Sequence, residues 1–166
     1  MAKAWILFCL ICCAFAFSSW VPHRNVLDII PLATGEIGVR ELTGNNDGKR
    51  VEEYLRCVGL KKGNPWCAAW ISFVFMKAGY TLPRTGWSPA LFRKGKLTRE
   101  PKRGVVFGLY FPDKKRIAHC GILERVHGSH LYTIEGNTDA SGSNEGDGVY
   151  RRLRNLKHVR HFAEWR

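Results

Sequence analysis

The stretch GNPWCAAWISFVFMKAG, residues 63–79, decides how the chain folds. Pro65 suits a helix start, and Ala68, Ala69, Ile71, Phe73, Val74 and Phe75 leave the segment apolar nearly all round. A helix without a polar face has to be covered on every side, so this one is expected to be the buried central helix of a small domain. Gly79 closes it. Its first turn carries Cys67, a thiol that either packs or attacks.

Upstream, PLATGEIGV begins at Pro31 and reads as a short, glycine-weakened helix to about Val39. ELTGNNDGKR is turn chemistry throughout. From Lys49, the apolar positions Val51, Tyr54, Leu55 and Val58 follow helical spacing up to Gly59, a natural stop. In WSPALF, Ser88 reads as an N-cap and Pro89 as the first helical position. After Gly104 the texture changes to short β-rich runs, VVFGLYF, IAHCGILERV, HLYTIEG, GVYRRLR and HVRHFAEW, separated by Gly, Asp and Asn. Helices followed by strands predict an α+β fold, with an antiparallel sheet packed on the buried helix.

Residues 1–20, MAKAWILFCLICCAFAFSSW, carry a single charge, Lys3, ahead of an apolar run that ends at Phe17. That run is shorter than the ~20 residues a spanning helix needs and reads as a signal peptide. Ala14 and Ala16 form an A-x-A site, so residues 1–16 are expected to be a leader and the protein to be exported, periplasmic or secreted. The rival is an uncleaved anchor, the one case in which a membrane is a partner. A lipoprotein reading through Cys13 is disfavoured by the bulky Cys12 before it. Cleavage leaves Cys57, Cys67 and Cys120, and an odd count in an oxidising compartment leaves at least one thiol unpaired.

The formal charge of +12 implies an anionic partner: nucleic acid, a membrane surface or a cell-wall polymer. Export makes nucleic acid the least fitting of these, and no zinc-finger, RNA-binding or helix-turn-helix signature supports it. Charge that merely solvates the surface is the plain alternative.

A cysteine in the first turn of a helix faces unpaired amides and the positive end of the dipole, which lower a thiol pKa. Such a thiolate needs a histidine to pair with and to protonate the leaving amine. Of the six histidines, His23 lies in the lead-in, His127 and His130 flank a turn, and His158 and His161 sit in the basic C-terminal strand. His119 alone lies inside an apolar strand, and YTIEGN downstream carries Glu135 and Asn137 two apart. In an antiparallel hairpin, His119 opposite Glu135 and His119 opposite Asn137 both put all three on one face. Ala118, Cys120, Ile122, Tyr132 and Ile134 then form the opposite, core face. His119 would move the proton, Glu135 would fix the imidazole tautomer, and Asn137 would orient the ring or bind substrate. The Cys67 backbone N–H would face an oxyanion. Singly, a helix-start cysteine or a strand histidine is more often structural; together, in this order, they favour chemistry.

NPWCAAW, IAHCGIL and TIEGNT resemble the Cys, His and Glu/Asn blocks of CHAP domains, cysteine, histidine-dependent amidohydrolases/peptidases of the papain-like group. The likeness extends over most of residues 33–153, including GVRELTGNNDG and EGDGVYRR. It implies a papain-like α+β domain over residues 31–166, after a lead-in at 17–30, that hydrolyses peptidoglycan between sugar and stem peptide or within the peptide. Cys67 matches the nucleophile, His119 the base, and Glu135 with Asn137 the polar partners. PKRGVVF departs from the Pro-Gly-Asp turn that relatives often have, a difference of local geometry. Two rivals remain: an antibacterial amidase effector on the same scaffold, and a wall-binding module with an inert triad.

No cofactor is expected. Some relatives carry a calcium loop, but GNNDG offers Asn45, Asn46 and a single carboxylate, Asp47, and reads better as a turn. No paired Cys or His has zinc spacing. Trp66, Trp87 and Tyr110 either line a sugar groove or pack. A Cys57–Cys120 disulfide is disfavoured by the core-face position of Cys120. The YRRLRN charges either attract the wall or simply solvate a strand. The protein is expected to act as a monomer.

Overall fold

The computed structural model describes residues 26–141, 146–159 and 161–166. The expected leader, its cleavage site and most of the lead-in lie outside the described residues.

Helix α3 (Cys67–Lys77) organises the packing, and Cys67 through Phe75 are all buried. Fully burying each large apolar side chain contributes roughly 1.5–3 kcal/mol. Helix α2 (Lys49–Arg56) turns Val51, Tyr54 and Leu55 inward, and Gly59 ends its last turn at φ +75°. Helix α1 (Ile29–Gly35) starts two residues before Pro31, because the Asp28 carboxylate caps it by accepting from Ile30 N–H at 3.0 Å. Ile29 and Ile30 are core residues, so the ordered domain includes the end of the stretch read as lead-in. WSPALF forms a 3₁₀ turn, Ser88–Phe92, with Trp87 rather than Ser88 at the cap.

Among the described residues, β1 (Leu97–Thr98), β2 (Val106–Phe111), β3 (Arg116–His127), β4 (His130–Thr138), β5 (Gly148–Asn155) and β6 (His161–Ala163) form one antiparallel sheet, ordered β1-β6-β2-β3-β4-β5. The architecture is α+β. HVRHFAEW contributes only three strand residues, after a 3₁₀ turn at Leu156–His158.

Strand alternation divides the sheet between two cores. Val106, Cys120, Ile122 and Ile134 pack with the helices, while Phe107, Leu123, Leu131 and Phe162 form a second apolar cluster. Of the residues expected on the core face, Ala118 and Tyr132 are only half-buried. Gly136 lets β4 approach α3: a Cβ there would lie 2.9 Å from ring atoms of both Trp66 and Trp70.

Two bulges on β3 set its register against β4 and β2. The β3–β4 hairpin turns through Gly128 and Ser129, with His127 opposite His130; Glu124 is then unpaired, and Leu123 pairs with Thr133. That extra residue restores the parity that places His119 and Glu135 on one face. Ala118 is the second extra residue, between Ile117 and His119 against β2.

Candidate active site

Cys67 opens α3 as its first residue, after Trp66 in a non-helical conformation. Its backbone N–H is among the first-turn donors that lack an intrahelical partner. Its sulfur lies 3.3 Å from Ser88 Oγ, and both residues line a groove of about 460 Å³. Trp87, Arg84 and Arg116 line that groove, and among the described residues no acidic side chain is in its wall.

His119 directly follows the Ala118 bulge, and bulges beside active sites re-aim a neighbouring side chain. Its Nε2 lies 2.8 Å from Glu135 Oε2, and both side chains are buried. Nε2–H therefore donates to the carboxylate, which leaves Nδ1 as the basic nitrogen; among the described residues Nδ1 has no hydrogen-bond partner. Gly121 makes room for this pair, since a Cβ there would lie 2.7 Å from Glu135 Cγ.

Glu135 is the most heavily bonded carboxylate near the site. It accepts from Thr133 Oγ1 at 2.6 Å and from both Arg154 Nε and Nη2, at 2.9 and 2.6 Å, besides His119. Burial opposes its ionisation, but Arg154 and His119 outweigh burial and bring its pKa down to about 2. For His119, burial likewise disfavours charge, yet Cys67 and Glu135 prevail and raise its pKa to about 9. The Cys67 thiol is held well below its ordinary value, first by the Cys120 thiol and, against burial, by His119 and Ser88. Burial instead pushes the Cys57 thiol up. The resting state these groups favour is a Cys67 thiolate beside a His119 imidazolium, which suits nucleophilic attack on a carbonyl.

Asn137 departs from the expected role. It sits at φ +56°, where β4 loses register with β5, and its amide turns to the helix start. With the amide assigned in the orientation that pairs both of its ends, its oxygen accepts from Trp66 N–H at 3.1 Å and its nitrogen donates to the Gly146 carbonyl at 2.8 Å. It thus holds Trp66, the residue before Cys67, whereas Glu135 is the hydrogen-bond partner of the imidazole.

Other expectations are redistributed. Trp66 is fully buried and donates through Nε1 to Glu41 at 2.7 Å, so it is packing; Trp87 is half-exposed in the groove wall. Tyr110 is exposed on β2 and does not line the groove. In YRRLRN, Arg154 is spent on Glu135 and Arg151 on Glu124 at 2.7 Å. Asp47 accepts from Thr43 N–H and Oγ1 at 2.9 and 2.8 Å, as a turn residue does. Among the described residues, no cluster of three or more His, Cys, Asp or Glu side chains is placed to hold a metal ion. Cys57, Cys67 and Cys120 are all free thiols.

Sequence reasoning missed Ser88, Thr133 and Arg154. Ser88 was masked by its resemblance to a helix cap. Thr133 lies two residues before Glu135, and that i, i+2 spacing was a usable signal. Arg154 had none, because its reach to Glu135 depends on the β4–β5 register. Comparison of the chain with family models, with curated proteins and with solved structures finds no match.

Proposed function

We propose that this protein is an exported cysteine hydrolase that cleaves an amide bond of peptidoglycan through a thioester on Cys67. The observation that carries this reading is a helix-start thiol that interacts with a buried imidazole, whose Nε2 lies 2.8 Å from a carboxylate. The CHAP-like blocks around Cys67, His119 and Glu135, the leader-like N-terminus and the net charge of +12 point to the anionic wall polymer as substrate.

The Cys67 thiolate attacks the amide carbonyl carbon, and the developing oxyanion is met by the free backbone N–H at the start of α3. As the C–N bond breaks, the imidazolium proton of His119 passes to the leaving amine. Neutral His119 then takes a proton from water, which attacks the thioester carbonyl. The C–S bond breaks, the Cys67 thiolate leaves, the carboxylic acid product gives its remaining proton to solvent, and the proton on His119 restores the ion pair. Glu135 keeps the imidazole in one tautomer throughout, as the acidic member of a triad does.

Mass spectrometry of muropeptides, after incubating the purified protein with peptidoglycan, tests this reading. A new free amino terminus within the peptide identifies an endopeptidase; release of the whole stem from the sugar identifies an amidase. Intact muropeptides, with retained binding to the wall, would instead select the binding-module reading.

A further inference from the structure

Cys120 follows His119 on β3, points to the helix face of the sheet and is fully buried. In the hydrolytic steps it forms no covalent bond and transfers no proton. Yet its sulfur hydrogen-bonds the same hydroxyl as the nucleophile does: Ser88 Oγ lies 3.7 Å from Cys120 Sγ and 3.3 Å from Cys67 Sγ. The groove reaches Cys67, whereas Cys120 is not part of its wall. Cys57 is placed elsewhere, with its sulfur 3.7 Å from the Ala69 carbonyl.

We propose that Cys67 and Cys120 form a reversible oxidation site: a small peroxide entering the groove oxidises Cys67, and Cys120 resolves the product as an intramolecular disulfide. In the first step the Cys67 thiolate attacks a peroxide oxygen; the O–O bond breaks, Cys67–SOH forms and hydroxide or alkoxide leaves. In the second, Cys120 sulfur attacks Cys67 sulfur; the S–O bond breaks, the S–S bond forms, and the Cys120 proton leaves with the hydroxyl as water. The peroxide is reduced and the two thiols are oxidised. A dithiol reductant reverses the result by thiol–disulfide exchange.

The electrostatics of the pair suit this division of labour. Cys67 is the thiolate and so the group a peroxide oxidises. Cys120 is held well above the usual thiol range, by burial first and by the adjacent Cys67 charge second. Oxidation of Cys67 to a neutral sulfenic acid removes the second influence, and the Cys120 proton becomes easier to lose at the moment it has to go. The consequence is a nucleophile protected from irreversible oxidation to sulfinic acid.

Peptide mapping by mass spectrometry after hydrogen peroxide treatment tests the site on the full chain, with Cys57→Ser and Cys120→Ala variants alongside. The expected wild-type and Cys57→Ser product is a linked peptide pair joining Cys67 to Cys120, lighter by two hydrogens and opened by dithiothreitol. In Cys120→Ala, Cys67 proceeds to sulfinic and sulfonic acids. Its alkylatable thiol after reduction falls on the order of tenfold below wild type. Wild-type Cys67 accumulating sulfinic acid without a linked pair would overturn the proposal, as would a pair that involves Cys57. The wild-type map decides this even if Cys120→Ala fails to fold. Because the readout is a mass, it is independent of whether peptidoglycan is the substrate.

Discussion

Arg154 closes on both carboxylate oxygens of Glu135, Nε on Oε1 at 2.9 Å and Nη2 on Oε2 at 2.6 Å. The oxygen that Nη2 holds also receives His119 Nε2–H. A residue on β5 therefore fixes the charge state of the acid that fixes the imidazole.

Removing one partner strands the other. Glu135→Gln leaves Arg154 largely buried without its counter-charge and is expected to cost about 3–5 kcal/mol of stability, read by denaturant unfolding. Activity should fall on the order of 10²-fold or more, the usual scale for acid–base assistance. Adding Arg154→Met should recover stability and leave activity low. Recovery of both would make Glu135 a structural residue alone.

The pH dependence follows from two shifts. His119 must be protonated to serve the leaving amine, so the rate should fall as pH rises through about 9. Glu135→Gln removes one influence that raises the His119 pKa, so this basic limb should move to lower pH. On the acid side, the Glu135 pKa falls from an ordinary 4.5 to about 2, so its stabilisation is fully present above 4.5 and is lost as pH falls through 2. Pulse-proteolysis or thermal midpoints across that window measure the loss.

Asn137→Ala should act through the helix start rather than the imidazole. It leaves the Trp66 N–H unpaired in a buried site, a cost of roughly 1–3 kcal/mol. The His119 titration, followed by NMR, should stay close to wild type. A lower His119 pKa in this variant would return Asn137 to the imidazole. Glu135→Gln should be the more damaging change to turnover.

The three thiols should differ sharply in reactivity. Iodoacetamide at mildly acidic pH should label Cys67 well ahead of Cys57, whose thiol is pushed up by burial, and of the enclosed Cys120. Peptide mapping reads the order directly. Preferential labelling of Cys57 would contradict the assignment of the nucleophile.

The helix–strand order was legible because α2 has a strong apolar period, α3 is apolar nearly all round, glycines stop both helices, and the β-rich runs follow them. The shared face of His119 and Glu135 was legible only on the condition of even parity, which the two-residue turn does not give and the bulge at Glu124 restores. Asn137 was not legible. Strand alternation places it beside Glu135, but its left-handed backbone breaks the alternation at that residue. The start of α1 was missed because Asp28 outcompeted Pro31 as the boundary signal. Arg154 was read as a surface charge, since only tertiary register reveals which arginine of RRLR turns inward.

The most direct measurement is rapid-quench mass spectrometry of the protein mixed with soluble muropeptides. The expected result is an acyl adduct, labile to hydroxylamine, on the peptide that contains Cys67, together with an equivalent of released amine. Cys67→Ser should form no thioester and release no new amino termini. Release of amino termini by Cys67→Ser at the wild-type rate, with no adduct on Cys67 in the wild type, would contradict the account.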